Sequence, residues 1–165
     1  MFPETDGISN IISDTIKTLF QRRLVDRVLR QWKEMADGEP FPRSDQIEPA
    51  MLGVDWLNCL VIAVKSPVRL STFVYVGENL SSTCCPDGSL ARVLLSLLPQ
   101  VVSERRCLMV EGSTRLFDLD ILYRSALCPL SADGISIDHV LGAANYRPLR
   151  KNENSIWPFL RAQWL

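Results

Sequence analysis

One apolar stripe at helical spacing, with strand-forming runs before and after it, most constrains the fold of this chain. Its members recur three and four residues apart: Leu90, Val93, Leu94, Leu97, Leu98, Val101 and Val102. This spacing predicts a helix that buries one whole face and begins at a cap in residues 87–89. Pro99 falls inside the stripe and is expected to kink this helix or to split it in two.

Strand-forming runs lie on both sides of the predicted helix. Two precede it and three follow it: residues 59–64, 68–76, 107–113, 116–130 and 135–146. The dipeptide Asp133-Gly134 predicts a tight turn between the last two runs. Two groups of hairpin-linked strands separated by helices predict an α+β domain with one antiparallel sheet.

A second amphipathic helix is predicted in front of the sheet, over residues 11–36, after a flexible tail of residues 1–10. Its apolar residues recur at helical spacing with one slip, and the turn-forming residues 37–40 end it. Residues 37–150 then form the domain itself, with a short turn of helix near residues 48–51. Residues 151–165 form an aromatic tail.

The helix of residues 11–36 and the aromatic tail carry more apolar surface than one face of a sheet covers. We therefore expect a homodimer or another partner protein to bind there. The expected interface residues are Ile12, Ile16, Leu19, Phe20, Trp157 and Trp164. Docking of the tail on its own domain is the alternative.

The charged and reactive side chains exclude several classes of function. The chain has one histidine, His139, which excludes two-histidine metal sites and leaves a catalytic triad one candidate base. The sequence contains no phosphate-binding glycine loop, nucleophile elbow or zinc-protease motif, so we expect no enzyme. Lys and Arg number 18 and Asp and Glu number 19, and the net charge of -1 argues against nucleic-acid binding.

The remaining sequence features indicate a cytoplasmic protein. No run approaches the roughly 18 apolar residues of a membrane-spanning helix, and the acidic start lacks the features of a secretory signal. The five cysteines are odd in number, and Cys84 and Cys85 are adjacent, so packed free thiols are the favoured interpretation. A redox response of the adjacent pair stays open, and no metal site is expected.

Three segments resemble those of a family of short bacterial single-domain PAS proteins. Residues 38–49 resemble the entrance of that family, and residues 129–142 resemble its ending. Residues 73–77 stand where the family has an aromatic-rich strand that ends in glycine. The resemblance covers roughly residues 25–147, and five residues of its motifs are expected to hold the structure: Pro42, Arg43, Asp45, Asp133 and Gly134. Arg43 is expected to pin a loop to strand carbonyls or to a carboxylate.

The resemblance implies a five-stranded antiparallel sheet with helices on one face, often a buried cavity, and an N-terminal helix packed on the other face. PAS domains sense small molecules, light or redox state, or act as dimerisation modules. The expected function is a signal-sensing or adaptor domain that binds a small ligand or relays its state to a protein effector. A ligand-free dimerisation or protein-interaction module is the alternative.

Four residues with polar tips on otherwise apolar strands are expected to line a ligand pocket: Tyr75, Tyr123, Cys128 and His139. His139 is either a haem ligand or pocket base, or a half-buried histidine that bonds a carboxylate. PAS domains usually ligate haem from a helix, and the residues around Cys84 and Cys85 do not match the flavin motif. Neither cofactor is therefore expected.

Overall fold

The computed structural model describes residues 23–81, 89–116, 118–150 and 160–165. Three α-helices are present in these ranges: α1 (residues 23–36), α2 (Pro49–Leu52) and α3 (Ser89–Glu104). The strands are β1 (Cys59–Ala63), β2 (Thr72–Val76), β3 (Leu108–Leu116), β4 (Leu119–Leu130), β5 (His139–Pro148) and β6 (Leu160–Trp164). Short 3-10 helices occupy Ser44–Gln46, Gly53–Asn58, Val68–Leu70 and Glu78–Leu80.

The strands form one antiparallel sheet with the order β2-β1-β5-β4-β3-β6. The fold is therefore α+β with an antiparallel sheet, as predicted. The sheet has six strands, so the predicted count of five is wrong. The additional strand, β6, comes from the aromatic tail and pairs with β3. A five-residue segment becomes a strand only where a sheet edge offers it hydrogen bonds, and the sequence does not reveal that edge.

One face of the sheet, the α3 face, packs against helix α3. The stripe that predicts this helix supplies its buried side, with Leu90, Leu94 and Leu98 almost inaccessible to solvent. These leucines belong to the same core cluster as Leu60 in β1 and Leu127 in β4. Helix α3 continues through Pro99, which lies on its exposed side, so the helix is not split.

The opposite face of the sheet, the α1 face, packs against helix α1. Leu24, Val25 and Val28 of this helix are buried in one cluster with residues of β1, β4 and β5, including Cys59 and Leu141. The two helices thus cover opposite faces, which is the arrangement that the resemblance implies. The sheet is buried on both sides because its strands carry apolar residues at odd and at even positions.

The residues predicted for a dimer interface fall mostly outside the described ranges. Ile12, Ile16, Leu19, Phe20 and Trp157 lie there, so the homodimer stays a prediction. Trp164 is described, and its half-buried side chain packs against the cluster on the α3 face. Among the helices of the described ranges, none combines the length and the apolar character needed to cross a membrane.

Candidate functional site

Two side chains of α1 tie this helix to the rest of the domain. The indole Nε1 of Trp32 donates a hydrogen bond of 2.9 Å to the carbonyl of Pro129, at the end of β4. One turn and a half earlier, Arg27 bonds both carboxylate oxygens of Asp55, from Nε to Oδ2 at 2.8 Å and from Nη2 to Oδ1 at 2.6 Å. Helix α1 is therefore coupled to β4 and to the segment in front of β1.

The two motifs that carry the resemblance lie side by side in the structure. The amide of Ser131 donates a hydrogen bond of 3.1 Å to the carbonyl of Pro42. The carboxylate of Asp138 accepts a bond of 2.8 Å from the amide of Ala132. Burial raises the pKa of Asp138, but hydrogen bonds from Ser44, His139 and the amide of Ala132 outweigh burial and lower that pKa overall. The entrance segment therefore closes onto the loop between β4 and β5.

Asp133 organises the loop between β4 and β5. Its Oδ1 accepts bonds from the amides of Ser136 (2.7 Å) and Ile135 (2.8 Å) and from the hydroxyl of Ser131 (2.9 Å). These bonds, led by the two amides, lower the pKa of Asp133 to about 2. Gly134 takes a φ of 75°, which favours glycine. The predicted tight turn at Asp133-Gly134 is part of this longer loop, because β5 begins only at His139.

Arg43 pairs with a carboxylate, as its position after Pro42 predicts, but the partner is its near neighbour Asp45. Nη2 of Arg43 lies 2.8 Å from Oδ2 of Asp45, and both side chains are more than half exposed. The pair stiffens the entrance segment from the outside. The link from that segment to the sheet runs instead through the Pro42 carbonyl and the Ser44 hydroxyl.

His139 is half-buried, and its Nδ1 lies 3.0 Å from Oδ1 of Asp138. This is the geometry of the structural alternative for His139, a histidine bonded to a carboxylate. A catalytic triad consists of a hydroxyl, an imidazole and a carboxylate, and Ser44, His139 and Asp138 supply these groups. Their hydrogen bonds, however, connect them in a different order. In a nucleophilic relay the imidazole stands between hydroxyl and carboxylate, whereas here the carboxylate stands between hydroxyl and imidazole. The arrangement holds the loop and does not activate Ser44.

The four residues predicted to line one pocket are divided between the two faces of the sheet. Tyr123 is buried on the α3 face, where burial raises its pKa to about 12. Tyr75 and Cys128 belong to the cluster on the α1 face. His139 lies at the start of β5, beside Asp138. Because successive side chains of a strand point to opposite faces, Tyr123 and Cys128 of β4 cannot face one cavity.

Three free cysteines, Cys59, Cys107 and Cys128, lie buried on the α1 face. Burial raises the pKa of Cys59 to about 12 and raises that of Cys128 well above its ordinary value. These thiols therefore pack as small apolar groups. The described residues contain no group of three or more His, Cys, Asp or Glu that could hold a metal ion. Cys84 and Cys85 lie outside the described ranges.

The sequence does not predict the exposed apolar residues Met51, Val54 and Leu57, which are called the ridge below. Their exposed fractions are 43%, 72% and 41%. The three residues are spaced by three, and residues i and i+3 eclipse in a 3-10 helix, so Val54 and Leu57 share one side of Gly53–Asn58. Asp55 on the other side is buried. The period of three in the sequence is the pattern that could have identified the ridge.

The segment that carries the ridge is held firmly against β2. The rings of Trp56 and Tyr75 stack with centroids 4.3 Å apart, and the Tyr75 hydroxyl donates a bond of 3.0 Å to the carbonyl of Trp56. At Gly77 the backbone passes so close that an added Cβ would lie 2.3 Å from the carbonyl oxygen of Leu57. The ridge is thus an apolar surface on a rigid support.

The ridge, the Arg27–Asp55 pair behind it and helix α1 form one connected candidate site. Asp55 lies between Val54 and Leu57 in the chain, and its carboxylate is held by α1. A contact at the ridge would therefore press on a residue that α1 holds directly. No family model, no curated protein and no solved structure matches this chain.

Proposed function

We propose that this chain is a PAS-type adaptor domain that acts through protein–protein contacts and uses the exposed ridge to bind an apolar surface of a partner. The observation that carries the proposal is the position of the ridge. Two of its three exposed apolar residues, Val54 and Leu57, lie on either side in the chain of Asp55, whose buried carboxylate α1 holds with two hydrogen bonds. Exposed apolar side chains that cluster on a rigid support are typical of interaction sites.

The Arg27–Asp55 pair would relay partner binding from the ridge to α1. When a partner covers Val54 and Leu57, any shift of Gly53–Asn58 moves Asp55 and with it the guanidinium of Arg27. Trp32 links the same helix to the loop at the end of β4. Helix α1 thus receives a displacement from the ridge at one point and is anchored to the sheet at another.

The order of the elements supports a PAS-type domain. Two strands, helix α3 and four further strands follow one another in the chain, and α1 covers the face opposite to α3. The entrance and ending motifs also meet, through Pro42 and Ser131. A cytoplasmic location and an effector protein as partner are part of the same proposal.

Ligand sensing has less support than protein interaction. A sensor pocket built from Tyr75, Tyr123, Cys128 and His139 requires these side chains to converge, and they lie on both faces of the sheet. The space between α3 and the sheet is occupied by large side chains, among them Leu60, Leu94 and Leu127. We therefore favour the interaction module over the ligand-binding version.

Site-specific photo-crosslinking in cells of the source organism tests the proposal. A photoreactive amino acid is placed at Val54, and as a control at Ser103, which is exposed on α3. We expect a protein that is captured from Val54 and not from Ser103. The purified partner should then bind the Val54→Glu variant at least about tenfold more weakly than the unmodified chain, since burying an unpaired carboxylate costs more than 1.4 kcal/mol.

The control variant for binding is Leu119→Glu, which places the same charge at an exposed residue of the β3–β4 hairpin. It should bind the partner as the unmodified chain does. Equal weakening by Val54→Glu and Leu119→Glu would overturn the proposal. So would a small molecule that copurifies in a one-to-one ratio and raises the melting temperature, because that result would establish sensing.

A further inference from the structure

Strand β6 forms one edge of the sheet. It pairs with the outer edge of β3 from Leu160 opposite Gly112 to Trp164 opposite Leu108, and the amide of Leu165 adds a bond of 2.9 Å to the carbonyl of Cys107. Within the described residues β6 is bonded to β3 alone. Its attachment is therefore a row of backbone bonds along one edge.

Two residues of β6, Trp164 and Arg161, match features of the β3 edge. Trp164 packs against the cluster on the α3 face, while its neighbours Ala162 and Gln163 are exposed. Arg161 lies directly opposite Glu111 of β3. A basic residue followed three positions later by an aromatic one therefore matches this edge.

The charge at Glu111 is part of an alternating row across three strands. Arg124 of β4 lies directly opposite Glu111 on its other side, with Nε of Arg124 3.1 Å from Oε1 of Glu111. Opposite charges on paired residues of neighbouring strands stabilise a sheet. The order Arg124, Glu111, Arg161 thus favours a basic residue at the position that β6 fills.

We infer that the outer edge of β3 is a strand-docking site that also accepts β6 from a second copy of this chain, giving a strand-exchanged homodimer. A second copy offers the same backbone groups, the same Trp164 and the same Arg161. Its contacts with β3 would be identical to those of the resident strand. Only the connection differs, so the protein concentration decides which strand occupies the edge.

The length of the connection makes both arrangements accessible. Residues 149–159 lead from β5 to β6, and β6 is three strand spacings from β5, or roughly 14 Å across the sheet. A chain of that length reaches up to about 36 Å when extended. The connection is therefore long enough for β6 to reach β3 of its own chain. The protein concentration then decides how often β6 of a second chain takes that place.

This inference is independent of the proposed function, because the segment that carries the ridge packs against β2, at the other edge of the sheet. Intermolecular disulfide trapping tests it. Met109 lies opposite Gln163 in the β3–β6 pair. In chains that also carry Cys84→Ser and Cys85→Ser, one preparation receives Met109→Cys and another receives Gln163→Cys. The two are mixed at high concentration in a glutathione redox buffer.

We expect a disulfide-linked heterodimer of the two variants, with a yield that falls on dilution. Adding Trp164→Ala to the Gln163→Cys chain should reduce the yield about tenfold, whereas Leu165→Ala, at a more exposed position, should leave it unchanged. A single chain that carries both cysteines should close its own disulfide and stop exchanging.

Two results would overturn the inference. One is a heterodimer yield no higher than that from mixing Met109→Cys with Val74→Cys, whose side chain is exposed on β2. The other is failure of the double variant to close its disulfide, which would mean that β6 does not occupy the β3 edge. A dimer detected by light scattering without the specific disulfide would assign the contact to another surface, such as the N-terminal helix.

Discussion

The guanidinium of Arg27 holds the buried carboxylate of Asp55, and this pair joins α1 to the segment that carries the exposed ridge. The side chains of Arg27 and Asp55 are 23% and 6% exposed. The Arg43–Asp45 pair has the same two groups and a similar geometry, but its side chains are 53% and 54% exposed. The two pairs thus differ mainly in burial.

Removing the arginine of each pair should therefore have unequal effects. Arg27→Ala leaves the carboxylate of Asp55 buried without its guanidinium, and we expect the free energy of unfolding to fall by about 2–4 kcal/mol. Arg43→Ala exposes nothing that was buried and should leave the midpoint of urea unfolding unchanged within error. Equal losses in the two variants would contradict the assignment of Arg27 as the anchor of α1.

Gly77 should tolerate substitution less well than Gly142. In Gly77→Ala the new Cβ would lie 2.3 Å from the carbonyl oxygen of Leu57. This clash can be relieved only by moving the backbone of the segment that carries the ridge. In Gly142→Ala the nearest atom is Cδ1 of the Leu60 side chain, which can change rotamer. We expect a loss of about 3 kcal/mol or more for Gly77→Ala and about 1–3 kcal/mol for Gly142→Ala.

Thermal unfolding of both glycine variants measures this difference. The ring stacking of Trp56 on Tyr75 provides a second readout, since a displaced segment changes the near-ultraviolet circular dichroism of the two rings. A Gly77→Ala variant with the melting temperature of the unmodified chain would show that the segment is not packed against β2.

The loop between β4 and β5 should weaken in acid because of Asp133. Its pKa in the folded protein is about 2, below the ordinary value of 3.8, so the stability that its charge contributes is present above 3.8. That contribution is lost as the pH falls from 3.8 to about 2. The difference in unfolding free energy between the unmodified chain and Asp133→Asn should shrink over this range. A difference that stays constant down to pH 2 would contradict the amide and hydroxyl bonds to its charged form.

The buried cysteines should resist alkylation in the folded protein. Cys59, Cys107 and Cys128 are inaccessible, and burial raises the pKa of Cys59 and Cys128, whereas iodoacetamide reacts with the exposed thiolate. Peptide mapping by mass spectrometry should find these three unmodified before unfolding in urea and fully modified after it. A cysteine introduced by Val74→Cys should react at once as the positive control. Modification of Cys128 in the folded state would show that the α1 face opens.

The sequence predicts the parts of this fold that depend on local periodicity. The spacing of Leu90, Leu94 and Leu98 marks a helix and its buried side without reference to any other element, and the structure confirms both. The strand-forming runs are local in the same sense. Their boundaries shift by a few residues, as when β5 begins at His139, because Asp133 and Asp138 bond the loop amides before it.

The candidate site was less predictable because it depends on which residues meet. Polar tips on apolar strands suggested a pocket, but the alternation of β4 sends Tyr123 and Cys128 to opposite faces. The ridge has a local pattern, the period of three at Met51, Val54 and Leu57. Its exposure follows from the other side of the same segment, where Asp55 turns inward to Arg27.

By itself the sequence determined the α+β class, helix α3 with its buried stripe, and the expectation that the aromatic tail docks. Periodicity and composition are properties of consecutive residues, and they require no knowledge of the neighbours in space. Tertiary structure alone decided that β6 extends the sheet at β3, that Arg27 pairs with Asp55, and that the ridge stays in solvent. Each of these features depends on contacts between residues far apart in the chain, such as Trp164 against the core cluster of the α3 face. The sheet edge and the buried surface that make such contacts favourable exist only in the folded protein.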